Sequence, residues 1–111
     1  MKLYSSIVAF IVAIILSSCS SANKNDSFYV RGNCEMCKQR IETTVLSVKG
    51  VSKADWNVDS KELSVSYDST QTNSLLIHEA VANVGHGTRL VPMNQEAHDN
   101  LHECCKLAKK E

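Results

Sequence analysis

Proline occurs once in this 111-residue chain and glycine only four times, which excludes collagen-like and Pro/Gly-rich low-complexity architectures. Neither sign of charge is in excess: 12 basic and 12 acidic side chains leave a formal net charge of zero. There is thus no electrostatic footprint for nucleic acid and no polybasic patch for a membrane surface. Long apolar runs are missing too. The stretch from Ile7 to Leu16 spans roughly 15 Å as a helix, about half of a bilayer's hydrocarbon core. The length allows one small domain at most. Cysteine, by contrast, is abundant, with five residues, and their placement carries most of the information.

Met1-Lys2, the apolar run and the following Leu16-Ser17-Ser18-Cys19 have the order of a secretory signal. The last four residues resemble a bacterial lipobox, with an aliphatic residue three before a cysteine that becomes the lipidated N-terminus. The alternative is an ordinary signal cut near Cys19. Residues 1–18 are accordingly expected to be a signal peptide and Cys19 a lipid anchor. Residues 19–26 then form anchor and tether, because SSANKND has nothing to pack. This predicts a lipid-anchored protein of the cell envelope, facing the periplasm or cell exterior, where disulfides persist.

Beyond the tether the hydrophobic period changes repeatedly. Phe28-Tyr29-Val30 reads as a short strand. Cys37, Ile41, Val45 and Val48 mark one face of a helix stopped at Gly50. Ala54, Trp56 and Val58 alternate, as do Leu63, Val65 and Tyr67 after a turn at Asp59-Ser60-Lys61, giving a hairpin. Leu76, Ile77, Ala80, Val81 and Val84 form a second helix ended by Gly85, and a last strand runs from about Thr88 to Val91 before Pro92. The predicted fold class is α+β, a ferredoxin-like βαββαβ domain over residues 27–92. Residues 93–111 are expected to add a C-terminal helix with a stripe of Ala97, Leu101, Cys104 and Ala108.

Cys34-Glu35-Met36-Cys37 falls at the junction of the first strand and first helix. A two-residue gap lets both sulfurs converge on one ion, and the orphan N–H groups of a helix start favour anionic thiolates. Soft thiolate pairs select Cu(I), Hg(II) or Zn(II) over Ca or Mg, and a site with only two thiolates suits Cu(I) or Hg(II) best, since structural zinc takes four ligands. The same motif is compatible with a structural disulfide or with redox exchange.

From Phe28 to Val91 the chain resembles the heavy-metal-associated domain family. The shared marks are Cys34-x-x-Cys37, Ile41-Glu42, Gly50-Val51 with Ala54 and Val58, Val65-x-Tyr67-Asp68, and Ile77, Val81 and Gly85. The resemblance implies a metal-binding module rather than an enzyme, with Cys34 and Cys37 as ligands for Cu(I), or for Hg(II) or Zn(II). It also implies a metal transporter or efflux component bearing similar thiolates as partner. A monomer is expected. Two departures stand out. Gly32-Asn33 replace the family's usual Met-Thr pair, so the loop is expected to be less firmly pinned. Gly85-His86 replace glycine followed by an aromatic, which makes His86 a candidate third ligand or hydrogen-bond donor to the site.

Other candidates are weaker. Met36, between the cysteines, is expected to point outward, Lys38 and Arg40 to screen the thiolates or to be a solvated face, and His78 to be a surface residue. In the tail, His98, His102 and Cys105 fall at helical positions i, i+4 and i+7, a candidate second metal set. The rival from another class is a thiol–disulfide oxidoreductase. It shares the CxxC at a helix start, but a thioredoxin-like fold needs a longer chain and a proline facing the dithiol, and Pro92 follows the last strand. A third reading is a structural lipoprotein domain with an inert disulfide.

Overall fold

The computed structural model describes residues 22–101. Strand β1 spans Asn23–Tyr29, helix α1 Glu35–Leu46, β2 Val51–Trp56, β3 Glu62–Asp68, helix α2 Ser74–Asn83 and a short α3 Gln95–Asp99. The sheet order is β1-β3-β2, with both pairings antiparallel. Leu63, Val65 and Tyr67 alternate along β3 and turn one face of the sheet toward the helices, which is the period-two pattern of a half-buried strand. Against that face α1 lays Cys37, Ile41 and Val45, spaced four apart and all fully buried, and α2 lays Ile77 and Val81. Each large apolar side chain so buried contributes about 1.5–3 kcal/mol.

Three expectations need correction. First, β1 begins at Asn23, inside the segment expected to be a tether; Asn23 to Asp26 pair with Asp68 to Val65. Their polarity reflects hydrogen bonding, not disorder: Ser66 Oγ donates to Asn25 Oδ1 at 2.6 Å and Ser74 Oγ to Asp26 Oδ2 at 2.6 Å. Second, the fourth strand is reduced to an isolated antiparallel bridge, Val30 to Thr88. Thr88 N–H donates to Val91 O at 2.9 Å, and its Oγ1 accepts the N–H groups of Leu90 and Val91, so the segment turns instead of extending. The bridge still places this segment beside β1, as the βαββαβ order requires.

Third, the described part of the C-terminal helix is only Gln95–Asp99. It is nevertheless docked. Asn94 N–H donates to Ala82 O at 2.8 Å, and Leu101 is buried in the core cluster. Gly85 has φ +101°, and a Cβ there would lie 2.8 Å from the backbone N of His98. Glycine is therefore needed twice over at this position, for its positive φ and for the tail packed on it.

Candidate metal centre

Cys34 stands at the N-cap of α1 in extended geometry (φ −150°, ψ 179°) with no side-chain cap bond, and Cys37 lies in the first turn. Cys34 is half-buried and Cys37 fully buried. Their sulfurs are 3.7 Å apart and neither is in a disulfide. A disulfide needs about 2.05 Å, whereas one ion with metal–sulfur bonds of about 2.3 Å bridges any sulfur spacing up to roughly 4.6 Å. The pair is therefore set to chelate without backbone rearrangement.

The loop before Cys34 is firmly held, contrary to what Gly32-Asn33 suggested. Val30 N–H donates to Lys61 O at 2.9 Å and Trp56 Nε1–H donates to Val30 O at 3.0 Å. Arg31 N–H donates to Gly87 O at 2.8 Å, and Lys61 Nζ donates to Gly32 O at 2.8 Å. Trp56, fully buried, forms the floor: a Cβ on Gly32 would come within 2.7 Å of its Cζ2 and 3.3 Å of Cys37 Cβ. Trp56 is held in turn by α1, since Glu42 accepts its N–H at 2.8 Å and Lys38 Nζ donates to its carbonyl at 2.8 Å. Lys38 also pairs with Glu42 and Asp55, whose hydrogen bonds raise its pKa. It is thus a clamp between α1 and β2, not a bare solvated charge. The sequence offered one signal for this floor, a lone tryptophan within an alternating run.

His86 is 1% exposed. Its Nδ1 lies 2.9 Å from Arg31 O, and because a carbonyl only accepts, Nδ1 carries the proton. Nε2 is buried and finds no hydrogen-bond partner among the described residues. Burial chiefly lowers its pKa; the Arg31 bond opposes this, and the charges of Arg40 and His98 add to the lowering. No three His, Cys, Asp or Glu side chains converge to hold an ion among the described residues, so the thiols stand there as a two-ligand site. In this arrangement His86 positions the loop.

His78, expected at the surface, is 4% exposed, stacked on Phe28 with ring centroids 3.7 Å apart. The stripe of α2 is wide enough to bury it beside Ile77. Thr88 Oγ1, already accepting two N–H groups, donates to its Nδ1 at 2.7 Å. Met36 is 42% exposed, facing outward as expected. His98 Nδ1 sits 3.6 Å from Asp99 Oδ1, and the described helix ends one residue later, before the expected stripe is complete. Cys19, His102, Cys104 and Cys105 lie outside the described residues.

Residues 28–87 match the family described as the heavy-metal-associated domain. The chain belongs to the heavy-metal-associated domain family. It is 35% identical over 68 residues to a zinc-transporting ATPase of Synechocystis sp., covering 60% of this chain and 9% of that protein. Among solved structures, the CopZ metallochaperone is similar with TM-score 0.57 and 26% identity, over 59% of this chain and 98% of that one. The N-terminal domain of a potential copper-translocating P-type ATPase from Bacillus subtilis, in the Cu(I)-loaded state, is similar with TM-score 0.56 and 26% identity. That match covers 59% of this chain and 82% of that chain. The neighbours share the ferredoxin-like α+β architecture, and the family assignment makes this a heavy-metal-binding module.

Proposed function

We propose that this chain binds one Cu(I) ion between Cys34 and Cys37 and passes it, at the cell envelope, to a metal transporter or efflux component bearing thiolates, without catalysing a reaction. Lipidated Cys19 anchors it to the membrane. The observation that carries the reading is the reduced thiol pair at 3.7 Å, one sulfur buried and one half-exposed, on a hydrogen-bonded loop. Two thiolates with no third ligand among the described residues suit a soft monovalent ion. The half-exposed Cys34 gives an incoming thiolate access, so exchange through a three-coordinate intermediate requires no unfolding. The likeness to a Cu(I)-loaded domain supports the choice of ion.

Zn(II) has one geometric observation in its favour. Bonds of about 2.3 Å at a tetrahedral angle place two sulfurs about 3.8 Å apart, close to the observed 3.7 Å. It needs further ligands, which no cluster among the described residues supplies. An anaerobic titration of the reduced protein against a chromogenic Cu(I) chelator tests the proposal, with Zn(II) and Hg(II) competed in parallel. One tightly held Cu(I), lost in Cys34→Ser/Cys37→Ser, is the expected result. No competitive Cu(I) binding by the fully reduced protein refutes it, and copper retained by the double variant moves the site to the tail.

A further inference from the structure

The chain enters the domain at the end opposite the thiols. Ser69 N–H donates to Ala22 O at 2.9 Å and Asn23 pairs with Asp68, whereas at the other end of β1 Tyr29 pairs with Glu62 and Val30 bonds Lys61, beside the metal loop. Seven residues of β1, at roughly 3.3 Å each, separate the two ends by about 23 Å. The entry end is closed by two turns that touch: a Cβ on Gly50 would meet Gln71 Cβ at 2.8 Å, and Asp68 N–H donates to Gly50 O. The approach to α2 is tied to the same end, where Thr72 N–H donates to Asp68 O at 3.1 Å.

Three large apolar side chains ring this end with nothing over them among the described residues. Leu46 closes α1, and Leu75 and Leu76 lie in the first turn of α2; they are 50%, 50% and 47% exposed. Met36 and Leu90 are the other large apolar side chains so exposed among the described residues.

We infer that this end of the domain rests on the lipid bilayer, with Leu46, Leu75 and Leu76 in the headgroup boundary, and that Cys34 and Cys37 are held outward in water. The inference rests on the proposed lipid anchor at Cys19. Cys19 is three residues before Ala22, so even a fully extended link reaches no more than about 11 Å. An acyl chain on Cys19 therefore keeps the leucine-ringed end within reach of the membrane, and insertion of the leucines is what holds the domain upright on it. Partly exposed leucines at that height gain by entering the interface. The acceptor of the ion is then a water-exposed, thiolate-bearing domain that reaches roughly 20–25 Å above the bilayer surface, the height set by β1. A ligand buried within the membrane is out of reach.

The test uses the full chain isolated from membranes, its mass read to detect acylation of Cys19. It is placed in nanodiscs of phosphatidylethanolamine and phosphatidylglycerol carrying a gadolinium-chelating lipid, and amide signals are recorded. Residues 47–50 and 69–76 are expected to broaden selectively while residues 32–37 and 57–61 keep their intensity. Leu75→Ser/Leu76→Ser should stay acylated and lose that selectivity. Broadening centred on residues 32–37, even broadening over all surfaces, or a pattern unchanged in the serine variant overturns the inference and leaves the anchor standing. A Cys19 without acyl chains overturns both, while Cu(I) titration of the same sample judges the thiol site separately.

Discussion

Gly32→Ala probes the floor of the metal loop with a single methyl group. The added Cβ would lie 2.7 Å from Trp56 Cζ2 and 2.8 Å from Cη2, where carbon atoms prefer 3.5–4.0 Å, so roughly 1 Å of overlap must be relieved. The indole has little freedom to yield. It is fully buried, its Nε1–H is bonded to Val30 O at 3.0 Å, and its backbone is clamped by Glu42 and Lys38. Overpacking of this kind costs about 1–3 kcal/mol. In a domain of this size that lowers Tm by roughly 4–24 °C.

Trp56→Phe removes the two carbons that clash, and with them the bond to Val30 O. Alone it should destabilise by about 2–3 kcal/mol through lost volume and an unmet carbonyl. In that background Gly32→Ala should cost under about 0.5 kcal/mol, giving a coupling of about 1–2 kcal/mol in the double-mutant cycle. Urea unfolding of the four reduced apoproteins measures it. Additive effects, with coupling near zero, would refute the claim that Trp56 supports the loop through Gly32. A Cu(I) titration of the same set should show affinity lost in Gly32→Ala and partly regained in the double variant.

Four further variants and one pH series extend the same reasoning. His86→Asn keeps a donor where Nδ1 stands and should retain Cu(I) affinity; His86→Gln, which mimics Nε2, should lose affinity as His86→Ala does. The reverse order in a competition titration would make His86 a ligand. His86→Ala should also destabilise by about 2–4 kcal/mol, read by urea unfolding. Burial holds both His78 and His86 below the usual histidine pKa of 6.5, so the unfolded chain binds protons that the folded chain refuses. Stability should be full above about pH 6.5 and fall as pH drops from there toward the folded pKa values, seen as a declining urea midpoint. A flat midpoint between pH 7.5 and 5.5 contradicts it. Leu101→Ala, truncating a tail residue that is 6% exposed, should cost about 2–3 kcal/mol in thermal or urea unfolding. A change under about 0.5 kcal/mol would mean that the tail does not belong to the core.

Both long helices and the hairpin were legible because their burial is one-sided. Ile41 and Val45 repeat at helical spacing, and Leu63, Val65 and Tyr67 at strand spacing, so periodicity reported the core directly. The start of β1 was not legible, because Asn23 to Asp26 are polar and earn their place through backbone pairing and the hydroxyls of Ser66 and Ser74. Neither was the loss of the last strand, which depends on the Thr88 hydroxyl gathering two N–H groups. Of the site, the thiol pair was plain from spacing. The bonds from Trp56, Lys61 and His86 come from residues 26 to 55 positions away and leave no local pattern.

That distribution bears on how the site works. The family's usual Met under the loop is replaced here by contacts that fix residues 30–32 from three sides: the Trp56 floor, the Lys61 turn and the His86-Gly87 segment. The base of the loop is thus ordered before any ion arrives, and little ordering entropy remains to be lost on binding. The adjustment left to make is a spread of the two sulfurs, by under about 1 Å even for a linear ion with bonds of about 2.3 Å. Cys37 is fully buried in the core beside α1, whereas Cys34 is half-buried at the N-cap, so the spread falls to Cys34. Retention and release are therefore divided between the two thiols. On the proposed function, the buried sulfur and its supports set how tightly an ion is held, and the half-exposed sulfur gives an incoming thiolate its point of attack.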